Sequence, residues 1–454
     1  MLIRLTVANF YSIGPERSFD MLPNDRLSKL THHVLKSGPV DVLKLGVLYG
    51  ANAAGKTTIV KALNQLRSLV IMEDAQPSIT YESTRHRFAE DDKAPITLGV
   101  EFFTEGKGYL YAIQYDAREV VAEELYELGF GVKEDRVIFT RRATPSGHKV
   151  DMAVLAESTE KNKVVSDHLN RFALEPSHPL IERLAHLSAE TEQEVAPVIN
   201  WFKNGLQIIS PDHTAVGLAQ RLDEDPAFLN FARDLLSSYD VGIVNVRVEV
   251  MSLESYFGKE NISSVRQRIG VLDMKAGEEI HRRSPDGNEV SIVQTTNGPV
   301  VKRVVLEHQS RGRSFQFEPS EESEGTKRLL DFLPAFYNLT NSKKTFVIDE
   351  LEASIHPVLL FQLMRKFSHD VYARGQLIIT THESSLLNQD LFRRDEIWFV
   401  EKDVDGATDL HSLNEYKEHH TKDIRRGYLN GRYGGIPTMR KLQSLDWHEY
   451  DSVA

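Results

Sequence analysis

One short stretch limits what this chain can fold into. Residues 43 to 70 read LKLGVLYGANAAGKTTIVKALNQLRSLV. Within them, Gly50-Ala51-Asn52-Ala53-Ala54-Gly55-Lys56-Thr57 meets the pattern G-x-x-x-x-G-K-[ST] at every fixed position. The flanks agree with the loop. Leu43, Leu45, Val47 and Leu48 form an apolar run of the kind found in buried parallel strands. Beyond the loop, Ile59, Leu63, Leu66 and Val70 recur at helical spacing. Strand, glycine loop and helix together predict an α/β domain in which loop amides and a helix N-terminus converge on an anion. Gly50 and Gly55 permit backbone angles and a close approach that a Cβ would block. Lys56 adds a mobile positive charge suited to β- and γ-phosphates, and Thr57 a hydroxyl suited to Mg²⁺. The candidate nucleotide contacts are Gly50, Asn52, Ala53, Ala54, Gly55, Lys56, Thr57 and Thr58.

At 454 residues the chain is too long for one ordinary core, so two or more lobes are expected. Apolar residues make up 41% and charged residues 26%, ordinary values for a soluble globular protein. No apolar run reaches the ~18 residues of a membrane span. MLIRLTVANF reads as a strand and lacks the layout of a signal peptide. With no cysteine there is no disulfide, no zinc hook and no cysteine catalysis. A cytoplasmic protein without a membrane partner is expected. The net charge of -12 argues against a protein that blankets DNA, but leaves room for a local basic groove.

Along the chain, residues 1 to 13 alternate as a strand leading into Asn9-Phe10-Tyr11-Ser12, and a polar loop follows. Ile96–Phe103 and Tyr109–Tyr115 flank a glycine-bearing turn and predict a hairpin, with another strand near Arg136–Arg141. From about 150 to 240 the pattern turns helical. Ser177-His178-Pro179 and Asp225-Pro226 both look like helix starts with an early proline. Val244, Val246, Val248 and Val250 then alternate with polar residues as a half-exposed strand. Residues 255 to 300 are polar and carry no motif. The doublets His32-His33 and His419-His420 read as exposed.

The remaining chemistry lies near the C-terminus. In TFVIDELEASIHP, residues 345 to 357, an apolar strand ends in Asp349-Glu350. A carboxylate at the tip of a core strand beside a phosphate loop can hold Mg²⁺, which assigns Asp349 to the metal with Thr57. Glu350, one residue on, can polarise an attacking water. In LIITTH a second apolar strand ends in Thr380-Thr381-His382. Alone, a histidine there is more often a satisfied core residue; in this order of strands the γ-phosphate is favoured as its partner. Ser323-Glu324-Gly325-Thr326 precedes an amphipathic run with Leu329, Leu330 and Leu333. It is either an ordinary N-cap or a helix end that binds an anion through free amides and the dipole. Residues 422 to 440 hold Lys422, Arg425, Arg426, Arg432 and Arg440 against Asp423, with Tyr428 and Tyr433 among glycines. That stretch either meets a phosphate, a nucleic acid or a partner, or packs back on the domain.

In order, NFYS, the phosphate loop, SEGT, the Asp349-Glu350 strand end with E-A-S-I-H-P, and TTH resemble the ABC-type ATPase heads of the SMC, RecF and OLD proteins. More narrowly, EESEGTKRLLDFLP, IDELEASIHP, QLIITTHESSLL, RRDEIWFVEKD and YLNGRYGGIP are similar to AAA-family ATPases of bacterial anti-phage defence loci. RloA, the AbiL-type abortive-infection ATPase and the ATPase of the PARIS system are of this kind. The resemblance implies a split head: residues 1–135 and 301–454 form its two halves, and 136–300 a mainly helical insertion. It implies ATP and Mg²⁺ as ligands, with Glu350 and His382 catalytic. It implies a head-to-tail dimer or a larger even-numbered assembly, in which Ser323, Gly325 and Thr326 reach the nucleotide of the facing copy. The implied function is a sensor and scaffold holding a toxic effector encoded next door, with a phage protein or DNA as trigger. Tyr11 departs from the pattern, since many relatives carry a basic residue there. The chain left after His382 is too short for a TOPRIM nuclease domain. A RecF-like DNA clamp is the alternative; a transporter ATPase is disfavoured because LSGGQ is missing.

Overall fold

A computed structural model describes residues 1–36, 38–152, 155, 167–168, 171–172, 174–184, 189–239, 242–270, 274–283, 288–416 and 423–436. The chain divides into two compact units. The first comprises Met1–Ile209, Lys343–Leu351 and Ser368–Ala454; the second comprises Ser210–Ser342 and Glu352–Phe367.

Two large sheets and a two-stranded one, Val34–Lys36 with Asp41–Leu43, lie in the first unit. Of the large sheets, the antiparallel one has seven strands, ordered Gly147–Asp151, Arg136–Thr144, Val120–Leu128, Lys107–Tyr115, Ile96–Thr104, Leu2–Ala8 and Arg17–Asp20. The expected hairpin is its centre, and its turn places Glu105 and Gly106 at φ 50 and 84. Positive φ at both central residues matches the twist of the flanking strands. The other sheet has six strands, ordered Leu206–Ile209, Thr345–Ile348, Gln376–Thr381, Leu45–Tyr49, Ile397–Lys402 and Thr408–Ser412. The first five run parallel and the last pair antiparallel. Every residue of Leu45–Tyr49, Thr345–Ile348 and Gln376–Thr381 is buried, as strands covered on both faces must be. This is an α/β core whose loop strand comes from the N-terminal part of the chain and whose flanking strands come from the C-terminal part.

Gln376 ties the two parts together. Its Oε1 accepts from the Leu2 amide at 2.7 Å and from Thr345 Oγ1 at 3.0 Å. Its Nε2 donates to the carbonyls of Leu2 and Leu43, each at 3.0 Å. All four bonds of a buried amide are thus made, which offsets the cost of taking it out of water.

His33 corrects the expectation of an exposed doublet, because its side chain is fully buried. Its Nδ1 meets Glu396 Oε2 at 2.9 Å, and Nε2 meets the Ser368 carbonyl at 2.9 Å. Burial, then the nearby Lys44 ammonium, pushes the imidazolium down to about 3, and burial pushes the Glu396 carboxyl well above its usual range. Both groups favour their neutral forms for the same reason, the cost of burying charge. His419 and His420 lie outside the described residues.

The second unit holds the helices Leu218–Glu224, Pro226–Ser238 and Glu324–Asn341 and most of Pro357–Ser368. Asp225 caps Pro226–Ser238, accepting from the amides of Ala227 and Phe228, as its Asp-Pro start predicts. Phe228, Ala232 and Leu236 form the buried face of that helix. Beside these helices stands a five-stranded antiparallel sheet of Ile243–Ser252, Glu279–Arg283, Glu289–Thr295, Gly298–Ser310 and Arg313–Phe317.

The described part of 136–300 holds more helix than strand, but strands are present in it too. Helices do occupy much of 180–238, but Arg136–Thr144, Gly147–Asp151 and most of the five-stranded sheet are strands. Leu206–Ile209 is the edge of the parallel sheet. Arg136–Thr144 and Ile243–Ser252 match the strands expected near Arg136–Arg141 and at Val244–Val250; the others carry no alternation that marks them. The start at Ser177-His178-Pro179 is real, yet its cap comes from elsewhere. Glu123, in the antiparallel sheet, accepts from the amides of Leu180 and Ile181 and pairs with Arg141.

Candidate nucleotide site

Five parallel strands end on one edge, and candidate residues follow three of them, Leu45–Tyr49, Thr345–Ile348 and Gln376–Thr381. Leu45–Tyr49 runs into the phosphate loop, and the helix Lys56–Ile71 leaves it. Gly55 precedes that helix at φ 114, where no side chain caps the first amides and no acid stands in the first turn. Such an end is a built anion site. The two glycines are required by space. A Cβ on Gly50 would lie 2.4 Å from the Val400 carbonyl oxygen, and one on Gly55 would lie 2.1 Å from Thr408 Oγ1. Ala53 also adopts positive φ, at 65°, so the loop turns sharply. Asn52 and Ala53 are exposed, Ala54 is buried. The buried Lys56 ammonium donates to the carbonyls of Gly50 at 2.7 Å and Ala51 at 3.0 Å, at the heart of the loop.

Asp349 stands where Thr345–Ile348 ends, only 3% exposed. Thr57 Oγ1 is 3.4 Å from its Oδ1. A hydroxyl and a carboxylate at that distance are hard oxygen donors that fit Mg²⁺, which would take its other ligands from water and phosphate. Among the described residues no cluster of three or more histidine or acidic side chains offers an all-protein metal cage.

Glu350 follows in the left-handed region at φ 50. For a residue with a Cβ that conformation is unfavourable and must be held by its surroundings. Thr380 holds it. Its Oγ1 accepts from the Glu350 amide at 2.8 Å and donates to Asp349 Oδ1 at 2.5 Å. One hydroxyl on the neighbouring strand thus sets both acids. In the sequence Thr380 reads only as a strand end, and its one signal is a hydroxyl two positions before His382. His382 itself lies just past Gln376–Thr381 with an exposed side chain, at the same sheet edge.

Ser323, Gly325 and Thr326 belong to the other unit. Ser323 Oγ caps the helix Glu324–Asn341, accepting from the Thr326 amide at 3.2 Å, and also meets Thr326 Oγ1 at 2.9 Å. Ser323 is exposed and Thr326 buried. A Cβ on Gly325 would sit 2.7 Å from the Ser354 carbonyl oxygen, so only glycine fits there.

The C-terminal stretch packs back on the domain through its tyrosines. Tyr428 and Tyr433 are buried and stack on Phe399, with centroids 5.6 and 5.1 Å away. Arg425, Arg426 and Arg432 are exposed. Lys422 and Arg440 lie outside the described residues. The Lys61 ammonium lies over the Tyr11 ring at 4.5 Å from the centroid.

Among the described residues no helix is long and apolar enough to cross a membrane. No curated protein sequence matches the chain. Among solved structures it is similar to the SMC head domain from Thermotoga maritima, with TM-score 0.38 and 11% identity over 90% of this chain and 98% of that one. It is also similar to an SMC head bound to the C-terminal winged-helix domain of ScpA, with TM-score 0.41 and 10% identity over 90% and 97%. A third likeness is to an SMC head with an extended coiled coil, bound to the C-terminal domain of ScpA, derived from Pyrococcus furiosus. Its TM-score is 0.41, with 11% identity over 91% and 97%. The family model described as "AAA domain, putative AbiEii toxin, Type IV TA system" matches residues 45–388, and the chain belongs to that family of AAA ATPase domains.

Proposed function

We propose that this chain binds and hydrolyses ATP as the cytoplasmic sensor and scaffold of a two-component anti-phage defence system of the RloA, AbiL and PARIS kind, holding or releasing a separate toxic effector such as a nuclease. The observation that carries the reading is the Thr57, Asp349, Thr380 and Glu350 constellation on a phosphate loop. Lys56 and the loop amides take the phosphates, and Thr57 with Asp349 would hold Mg²⁺. Glu350 orients the attacking water, and His382 faces the γ-phosphate. Ser323, Gly325 and Thr326 serve the nucleotide of a second copy, so that ATP closes two heads and hydrolysis parts them. The family description, which names a type IV toxin–antitoxin system, supports the effector. Co-purification with the product of the adjacent gene, with ATP and with ADP, tests the whole reading. A chain that stays alone in both nucleotide states, beside a neighbour unrelated to any effector, removes the scaffold role.

The exposed Arg425 and Arg426 on Ile424–Leu429 favour a second reading, a RecF-like DNA clamp. It requires ATP-stimulated binding to duplex DNA that weakens with salt and is lost in the Arg425→Glu, Arg426→Glu double variant. No gel shift at moderate salt would eliminate it.

A further inference from the structure

Three hydroxyls meet behind the phosphate loop, from parts of the chain almost as far apart as its length allows. Thr58 Oγ1 lies 2.7 Å from Ser12 Oγ, and Ser12 Oγ lies 2.8 Å from Thr408 Oγ1. Thr408 Oγ1 is also 2.8 Å from the Ala54 carbonyl oxygen and 3.1 Å from the Lys402 ammonium. Thr408 is fully buried, and its amide donates to the Ser12 carbonyl at 2.7 Å.

A carbonyl only accepts and an ammonium only donates. Thr408 Oγ1 therefore accepts from Lys402 and offers its one proton to the Ser12 hydroxyl and the Ala54 carbonyl, each at 2.8 Å. Ser12 and Thr58 share the next bond of the chain. The relay begins on the first turn of the helix and ends on the loop, so it closes a brace around Gly55. Ser12 Oγ and Thr408 Oγ1 fill the space in which a Cβ on Gly55 would lie, at 2.9 and 2.1 Å.

We propose that Thr408 is a positioning residue for nucleotide binding, holding the phosphate loop in its binding shape through the Thr58, Ser12, Thr408 and Ala54 relay. It touches no phosphate itself. It sets the direction of the loop amides, with Lys402 as the outer anchor of its hydroxyl. The proposal rests on the loop's role as a triphosphate site. Valine has nearly the shape of threonine but no hydroxyl, so Thr408→Val leaves Ala54 and Ser12 without their partner while keeping the packing.

The test measures affinity for a fluorescent ATP analogue and the nucleotide-induced rise in melting temperature for the wild type, Thr408→Val and Thr408→Ser. Thr408→Val should bind about tenfold more weakly and Thr408→Ser within about twofold of the wild type. Ser12→Ala, which breaks the relay without touching Thr408, should weaken binding by a smaller factor; it decides the matter if Thr408→Val does not fold. Wild-type affinity in Thr408→Val, or in a folded Ser12→Ala standing in for it, overturns the relay alone. A wild type that binds no nucleotide at all overturns the triphosphate reading and the relay's role with it.

Discussion

Two helix N-termini, one proposed to bind the chain's own triphosphate and the other that of a second copy, are built in opposite ways. Lys56–Ile71 starts after a glycine in the left-handed region, with no side-chain cap and no acid in its first turn. Glu324–Asn341 starts after Ser323, which caps it, and carries Glu324 in its first turn. The first end leaves its donors to be satisfied by an anion. The second satisfies one donor internally and sets a negative charge beside the dipole, which stabilises the helix when it stands alone. The contrast teaches that the two ends cannot share a role: one is a standing site, the other an end whose local bonds must be exchanged before it can serve a phosphate.

Lys56→Ala should break this contrast most severely. It removes the charge at the centre of the standing site, and titration calorimetry should show ATP affinity reduced by two orders of magnitude or more, about 3 kcal/mol. Retained affinity would mean that the loop amides alone suffice. Next in size is Glu350→Gln, which should keep ATP binding, favour the closed pair of heads and slow phosphate release from ATP by roughly 10²-fold. Unchanged steady-state turnover would show that Glu350 is not the group that activates water.

Ser323→Ala should sharpen the comparison, because it removes the cap and leaves the phosphate loop intact. A loss of about 1 kcal/mol is expected in chemical denaturation, with ATP affinity of the single chain unchanged and turnover reduced. Turnover equal to wild type would reduce Ser323 to a cap and nothing more. Glu324→Gln is the mildest. Its carboxylate is largely exposed, so neutralising it should tighten ATP-driven self-association only about two- to fivefold, measured by light scattering at low salt. Weaker association would show that Glu324 contacts the partner favourably.

Local segments were legible in the sequence because their causes are local. The phosphate loop, its strand and its helix, the hairpin at Ile96, the Asp225 cap and the Asp349 strand end each depend on residues within a few positions of one another. Of the five-stranded sheet in the second unit, only Ile243–Ser252 was legible, by its alternating valines. The sheet is held by pairs such as Arg247 with Glu307, at 2.9 Å, and Arg303 with Glu249, at 2.7 Å. Such partners lie far apart in the chain, so no local pattern announces them. Leu206–Ile209 escaped notice as well, since four residues are too few to show a period. His33 looked like surface because its partner Glu396 is remote in the chain.

What the sequence determined by itself is the chemistry on offer: a lysine and a threonine at the mouth of a glycine loop, two adjacent acids at a strand end, and a serine poised to begin a helix. Spacing along the backbone is enough for that, because turns and caps are short-range devices. Only the tertiary structure decided how these groups are held. Thr380 sets both acids, Gln376 joins the halves of the head, and Thr408 meets Ser12 across 396 residues of chain. A lone hydroxyl or amide carries no local pattern, and its worth comes entirely from the buried partner it finds when the strands assemble.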